Sequence, residues 1–317
     1  MSLSAFDSVH RGFVNTRANW ELIFFQWLQA LLAGILIVVG LLPPLAAMGF
    51  ARPTGMSSWP ADWPSVLGGF SSVLQRGVDS WLLLAVSLVV TTAIWLVATM
   101  VYCFFQGGIY GVLSAADRQA PSGAARNSQW FRTFSSRDFR GWGSHFMWRF
   151  FWLFNLIVLV STIWLVLPLL LVLGSVWSGE MWGGGAGFAL GCAGAIPVGF
   201  TLLTLAFWGS LAQATLVGQD TSVGEAARSG LRILGRRLGT VLFIFVVVVF
   251  GSIVASIVVS ALSVLVTLVL SRWEVLKITA DLLVWMIHWG ISSAFGIALA
   301  AALIGLVRNE SAGDHQA

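Results

Sequence analysis

Residues 239–270 read GTVLFIFVVVVFGSIVASIVVSALSVLVTLVL, and this stretch decides the fold. It carries no charge and lacks the period-2 alternation of a barrel strand. A helix needs ~20 such residues to cross ~30 Å of hydrocarbon. This run is longer, which predicts a span that tilts or extends past the bilayer. Five further apolar runs of spanning length lie at 22–46, 80–105, 147–173, 187–217 and 280–306. Lipid offers no partner to a backbone amide, so each run predicts a helix. The expected fold is all-α: a polytopic membrane protein whose six transmembrane helices form a bundle over residues 22–306. An amphipathic cytoplasmic helix is expected within 1–21, and a polar cytoplasmic tail over 307–317.

Composition agrees. Hydrophobic residues make up 58% of the chain and charged residues 9%. Soluble domains carry about 25% charged residues, and a surface with so few cannot face water throughout. The formal charge is +4, nearly all of the basic side is arginine, and Lys277 is the sole lysine. No concentrated basic domain exists, so nucleic acid is not an expected partner. Cys103 and Cys192 fall inside apolar runs, where they are expected to pack as small hydrophobes. The first run is too long for a signal h-region and reads as a retained signal anchor.

Arginine placement predicts orientation. The N-terminal segment, the 2–3 and 4–5 connections and the C-terminal segment carry thirteen basic residues: Arg11, Arg17, Arg118, Arg126, Arg132, Arg137, Arg140, Arg149, Arg228, Arg232, Arg236, Arg237 and Arg308. The opposite set has four, Arg52, Arg76, Arg272 and Lys277. The positive-inside rule then places both termini in the cytoplasm of a bacterial inner membrane protein.

The connections have character of their own. Residues 3–20 put Phe6, Val9, Phe13 and Trp20 near one side of a helix, with Arg11 and Arg17 elsewhere, which predicts a helix lying on the membrane. Residues 47–79 form the longest outer loop, with turns at Trp59-Pro60 and Trp63-Pro64. The glycines of 183–187 fall in another outer loop without a basic residue. Residues 130–152 interleave aromatics with Arg132, Arg137, Arg140 and Arg149. Residues 222–238 read as an amphipathic helix, with Val223, Ala226, Ala227, Leu231, Leu234 and Leu238 against Glu225, Arg228, Arg232 and Arg236, and with Arg237 next in sequence. These eight arginines are the candidate lipid-headgroup ligands, each worth on the order of 1 kcal/mol at an anionic surface. The plainer reading is positive-inside topology with an aromatic belt.

Small residues recur at helical spacing. Gly107 and Gly111 do so at the end of span two, Gly187, Gly191, Ala195 and Gly199 in span four, and Ser252, Ser256 and Ser260 in span five. Gly290, Ala294, Ala298 and Ala302 do so in span six. Such ladders let backbones approach closely, within one chain or between two copies. Asn155, Gln213 and His288 are the candidate buried polar groups. His288 reads as a hydrogen-bonded structural histidine, with no second histidine at helical spacing to support a metal or other cofactor. Pro197, among glycines, marks a kink or a break in span four. No H-E-x-x-H, supported G-x-S-x-G or Walker lysine occurs, and no catalytic activity, metal or cofactor is expected.

Three stretches carry a family resemblance: FDSVHRGFVNTRANWELIFFQW from Phe6, FQGGIYGVLSAADR from Phe105 to Arg118, and VGEAARSGLRILGRRLGTVL from Val223. They resemble bacterial six-helix membrane proteins related to the membrane domain of glycerophosphoryl diester phosphodiesterases. Gly224, Glu225, Ala226, Arg232 and Leu238 fit the cytoplasmic helix of that family, with Gly230 at its serine position. In the name-giving enzymes a soluble barrel carries catalysis, for which this chain has no room. The resemblance therefore implies a stand-alone membrane module without phosphodiesterase activity. The leading expectation is a non-catalytic inner-membrane protein that engages membrane lipids, anionic ones included, or a partner membrane complex, with a homodimer as one form. The alternatives are a small-molecule or lipid permease and an accessory or cofactor-binding subunit of an energy-converting complex.

Overall fold

The computed structural model describes residues 4–47, 81–121, 128–182, 184–270 and 273–314. Among these residues there are seven α-helices and no strand. The helices are α1 Ala5–Ala18, α2 Glu21–Ala47, α3 Trp81–Gln119, α4 Ser136–Trp182, α5 Gly184–Gly218, α6 Val223–Leu270 and α7 Glu274–Asp314. A 3-10 turn, Ser128–Phe131, precedes α4. Helices α2 to α7 are each long and apolar enough to cross a membrane. The chain is an all-α integral membrane protein.

Several helices run further than the apolar stretches that predicted them. α4 starts at Ser136, so most of the aromatic and arginine segment forms its first turns. α5 starts at Gly184, so residues 184–187 are helical where a glycine loop was expected. Away from water, even a glycine amide has no better partner than the helix ladder. α5 also continues through Pro197, which is exposed. α7 extends to Asp314, beyond the expected start of a polar tail. Residues 48–80, with both Trp-Pro pairs and with Arg52 and Arg76, lie outside the described residues, as do Arg126 and Arg272.

The chain forms two compact units, residues 28–102 and residues 1–27 with 103–317. In the first, Thr91 Oγ1 donates to Gly40 O at 2.7 Å. Gly40 leaves room for the Trp95 indole, which a Cβ would meet at 2.8 Å. In the second, the core holds Leu22, Leu113, Phe131, Phe146, Phe150, Leu211, Ile244 and Leu303. On α7 burial is nearly continuous from Ile297 to Val307, whereas Val275, Ile278, Leu282 and Ile287 are exposed. That apolar exposure suits lipid and no aqueous surface.

Helix α1 departs from the expected surface helix. Ser8, Val9, Arg11, Gly12, Asn15 and Thr16 are buried, while Phe6, Asp7, His10, Phe13 and Arg17 are exposed. Its packing partner is the Ala298–Ala302 part of the ladder on α7. A Cβ on Gly12 would stand 2.5 Å from Ala298 O and 3.0 Å from Ala302 Cβ. Gly107 and Gly111 likewise admit α4, against Phe146 and Gly143 and against Trp142. Ala195, Gly199 and Gly290 do not pack this way. Ala195 and Gly199 are exposed, and a Cβ at Gly199 or Gly290 would meet nothing within 4 Å. Ala294 is half-buried, and Gly187 and Gly191 lie on α5 where side-chain surroundings are outside the described set.

Gly12→Leu is therefore expected to cost about 1–3 kcal/mol by overpacking. Gly34→Leu is the matched control, since a Cβ there meets nothing within 4 Å. Thermal melting in detergent should fall for the first and hold for the second. Equal melting curves would refute the close α1–α7 approach.

Candidate functional site: an arginine-lined groove

The groove is built on the first turns of α6. Ser222 opens that helix, its Oγ accepting from Glu225 N at 3.4 Å and its carbonyl from Ala226 N at 2.8 Å. Ala226, Ala227, Gly230, Ile233 and Leu234 recur every three or four residues and form the buried face. Gly230 sits against α5, where a Cβ would meet Ala212 N at 3.0 Å. Trp208 Nε1 donates to Ala227 O at 2.9 Å and fixes the same pair of helices. At Arg237 the backbone leaves helical geometry (φ −125°, ψ 29°), which separates this amphipathic segment from the apolar span after it. The sequence expected that division.

With one face buried, Arg228, Arg232 and Arg236 form an exposed stripe four residues apart. They line a groove of about 1010 Å³ together with Gly218, Gln219, Ser222, Glu225, Arg308 and Glu310. Its lining includes four arginines and two glutamates. Arg228 and Arg232 have no ion-pair partner among the described residues. Arg237 Nε donates to Glu310 Oε1 at 2.5 Å.

Arg308 joins the groove to a buried ion cluster, which the sequence reading did not anticipate. Its Nη1 donates to Asp117 Oδ2, while Arg11 Nε donates to Asp117 Oδ1 at 2.6 Å. Arg11 Nη2 also donates to Asp117 O and Ala120 O, and Nη1 to Pro121 O. These are carbonyls at the C-terminal end of α3, left without helical partners, and a cation there also opposes the helix dipole. The guanidinium lies 5.0 Å from the Phe131 ring centroid. Arg11 is thus a cap and a counter-ion inside the fold, where a solvated surface arginine was expected.

The remaining candidates separate by partner. Arg132 Nη1 donates to Ala18 O at 2.6 Å and to Glu21 Oε2 at 2.9 Å. Arg149 Nη1 donates to Asp220 Oδ1 at 2.5 Å. Arg140 Nε reaches Ser136 O on its own helix, and Arg137 is exposed. Asn155 is exposed, its Nδ2 donating to Phe151 O at 2.8 Å, so it is not a buried group. Gln213 is half-buried and accepts from Tyr110 OH at 3.0 Å, linking α3 to α5. His288 is half-buried beside the Trp285–Trp289 ring pair, and no hydrogen bond joins it to another of the described residues. No group of three His, Cys, Asp or Glu side chains that could hold a metal occurs among the described residues.

Asp220 ends the turn between α5 and α6 in the left-handed region (φ 52°), which aspartate tolerates better than most residues. Partial burial pushes its carboxyl up. The hydrogen bonds from Arg149 and His145, with their charges, outweigh this and hold it below the ordinary carboxylate range. A depressed folded-state pKa stabilises above the ordinary aspartate range, and the gain is lost as pH falls through the depressed value. The side chain is half exposed, so the effect is small, within about 1 kcal/mol. Asp220→Asn should fall slightly below the wild type in melting at neutral pH and converge on it as the pH is taken below the ordinary aspartate range. A deficit that is larger at the acid end would overturn the ion-pair account.

The fold and this groove define a class: an all-α integral membrane protein with a basic recess at one end of its helices. No family model, no curated protein and no solved structure matches the chain.

Proposed function

We propose that this chain is a non-catalytic protein of the bacterial cytoplasmic membrane, with both termini cytoplasmic, that engages anionic lipids at its arginine-rich end. The groove carries the reading, because it sets three exposed arginines of one helix stripe beside Arg308. The same helix passes directly into an apolar span after Arg237, which supports a position of its arginines near headgroup depth. Exposed Trp20, Trp130 and Trp148 supply amphipathic anchors, and Phe6 an apolar one, on the same unit. The resemblance to stand-alone membrane modules supports a role without hydrolysis. A permease is less well supported, because Asn155, Gln213 and Pro197 share no recess: one faces outward, one is bonded to Tyr110, and the proline is exposed.

Purification into nanodiscs from the native membrane, followed by mass spectrometry of bound lipid and protein, tests this reading. Anionic lipid enriched over its bulk fraction is the expected result. No enrichment, with no co-purifying protein, would sink it. A stoichiometric protein partner without lipid enrichment would replace lipid engagement with a subunit role.

A further inference from the structure

We infer that one edge of α1 is a lipid-binding surface: the helix lies in the plane of the membrane surface, with Phe6 and Phe13 below the headgroups. This surface is separate from the arginine groove. Its direction follows from the contacts of α1 with α7. The Phe13 and Phe295 ring centroids are 5.6 Å apart. A Cβ on Gly12 would meet Ala298 and Ala302, and one on Gly305 would lie 3.9 Å from Arg11 Cδ. Three successive residues of α1, 13, 12 and 11, thus meet α7 from position 295 to position 305. That is ~15 Å of α7 at ~1.5 Å per residue, far more than three residues rise along their own helix. α1 therefore lies across α7, with Phe13 and Arg11 on opposite edges. The Phe13 edge is turned toward the half of α7 whose Leu282, Leu283, Met286 and Ile287 are exposed, and the Arg11 edge toward Asp117 and Arg308.

Polarity around α1 rises in the same direction. Seven residues close two turns to within ~20°, so Phe6 and Phe13 share one line. Phe6 is 67% exposed and Phe13 37%. At ~100° per residue, Arg17 lies ~40° round from that line, His10 ~60°, Asp7 ~120° and Arg11 ~160°. Aromatic rings come first, then two longer polar side chains, then a carboxylate. A bilayer surface changes in that order from acyl chain through headgroup to water, and Arg17 can keep its charge among the headgroups. The chain also holds one end of this edge at the membrane. Exposed Trp20 follows two residues after α1 and directly precedes α2, which is apolar from Leu22 and long enough to span. A soluble partner would have no need of a gradient aligned with the axis of α7, whereas a lipid surface imposes one. One helix thus joins lipid on its aromatic edge to the buried ion cluster on the other.

The test uses the full chain in phosphatidylcholine nanodiscs, with Cys103→Ala and Cys192→Ala as background. A nitroxide is attached in turn at Phe6→Cys, Phe13→Cys, His10→Cys and Ile287→Cys. Its collisions with oxygen, which concentrates in lipid, are compared with its collisions with a water-soluble nickel chelate. Ile287, 54% exposed on the apolar half of α7, is the lipid reference. Labels at 6 and 13 should favour oxygen as the label at 287 does, and lie ~5–10 Å inside the headgroup boundary. The label at 10 should lie shallower. Phe6 is the more exposed of the two aromatic positions, so its label reports even where Phe13→Cys loosens the contact with Phe295. Unchanged melting identifies the variants to be read. Free nickel access at 6 and 13 would place the edge in water and overturn the inference. Poor access of both reagents there would show that protein, such as a second copy of the chain, covers the edge, and would overturn it too. A label at 10 as deep as the one at 6 would overturn the orientation across α7. Each of these outcomes leaves the arginine groove to its own lipid measurement.

Discussion

Asp117→Asn is expected to destabilise the protein by about 3–5 kcal/mol, the cost of removing one partner from a buried ion pair. The carboxylate side chain is 3% exposed and accepts from Arg11 on one oxygen and from Arg308 on the other. Asparagine keeps the shape but not the charge, and its amide nitrogen would face a guanidinium. The Arg11 side chain is 8% exposed and has no route to water. Its charge would then rest on three backbone carbonyls, the Phe131 face and at most one neutral amide oxygen. Arg308 is 32% exposed and can turn into the groove, so Arg308→Gln should cost far less, about 1 kcal/mol. Replacing the pair together, as Arg11→Met with Asp117→Leu, should recover only part of the loss: a buried pair stabilises little relative to apolar residues of similar volume, but the carbonyls that Arg11 caps lose their donor. Detergent melting of the four proteins decides the point. If Asp117→Asn melts like the wild type, the cluster is wet and the account of α1 docking fails.

How much of this was readable in the chain follows from the range of each signal. Hydropathy is a local property, so the six spans and the change of character near Arg237 were legible. The groove stripe was legible too, because Arg228, Arg232 and Arg236 repeat with the helical period inside one segment. The ion cluster was not. Asp117 follows an apolar run and reads as a solvated span end. Its partners lie 106 and 191 residues away, and no periodicity links them. An arginine beside small residues in an amphipathic N-terminal helix was the available hint, and Gly12 next to Arg11 was the other half of it. The exposed ladder members show a related limit. Spacing shows that Ala195 and Gly199 share a face with each other, but not that another helix covers that face. Asn155 shows the same limit: an apolar run places a residue at membrane depth without saying which side it faces. Its own helix satisfies it at Phe151 O.

The second large effect is expected at Asn19, which the sequence did not single out. It is fully buried at the C-terminal cap of α1. Its Nδ2 donates to Phe131 O at 2.7 Å, to Asn15 Oδ1 at 2.9 Å and to Asn15 O at 3.2 Å. Its Oδ1 accepts from Thr133 N at 3.1 Å and Phe134 N at 2.9 Å. One side chain therefore replaces the hydrogen bonds that the irregular segment before α4 cannot make within itself. Asn15 extends the arrangement, donating to Leu113 O at 3.1 Å and so reaching α3. Nearby, the Phe25 and Phe139 rings lie 4.4 Å apart, and Phe134 lies 5.7 Å from Phe25. Asn19→Ala leaves two amides and a carbonyl without their partner in a region closed by aromatics. At about 1–3 kcal/mol for each unsatisfied buried group, with partial relaxation, the loss should be on the order of 3 kcal/mol. Asn19→Asp separates the roles of the two ends of the amide. It keeps the acceptor for Thr133 and Phe134 but loses the donor and sets a charge against Phe131 O, so it should be no better than alanine. Hydrogen exchange supplies the readout that melting alone would not: the Thr133 and Phe134 amides should lose protection in Asn19→Ala while those of α6 keep theirs. Unchanged exchange at those two amides would show that the side chain is not their partner.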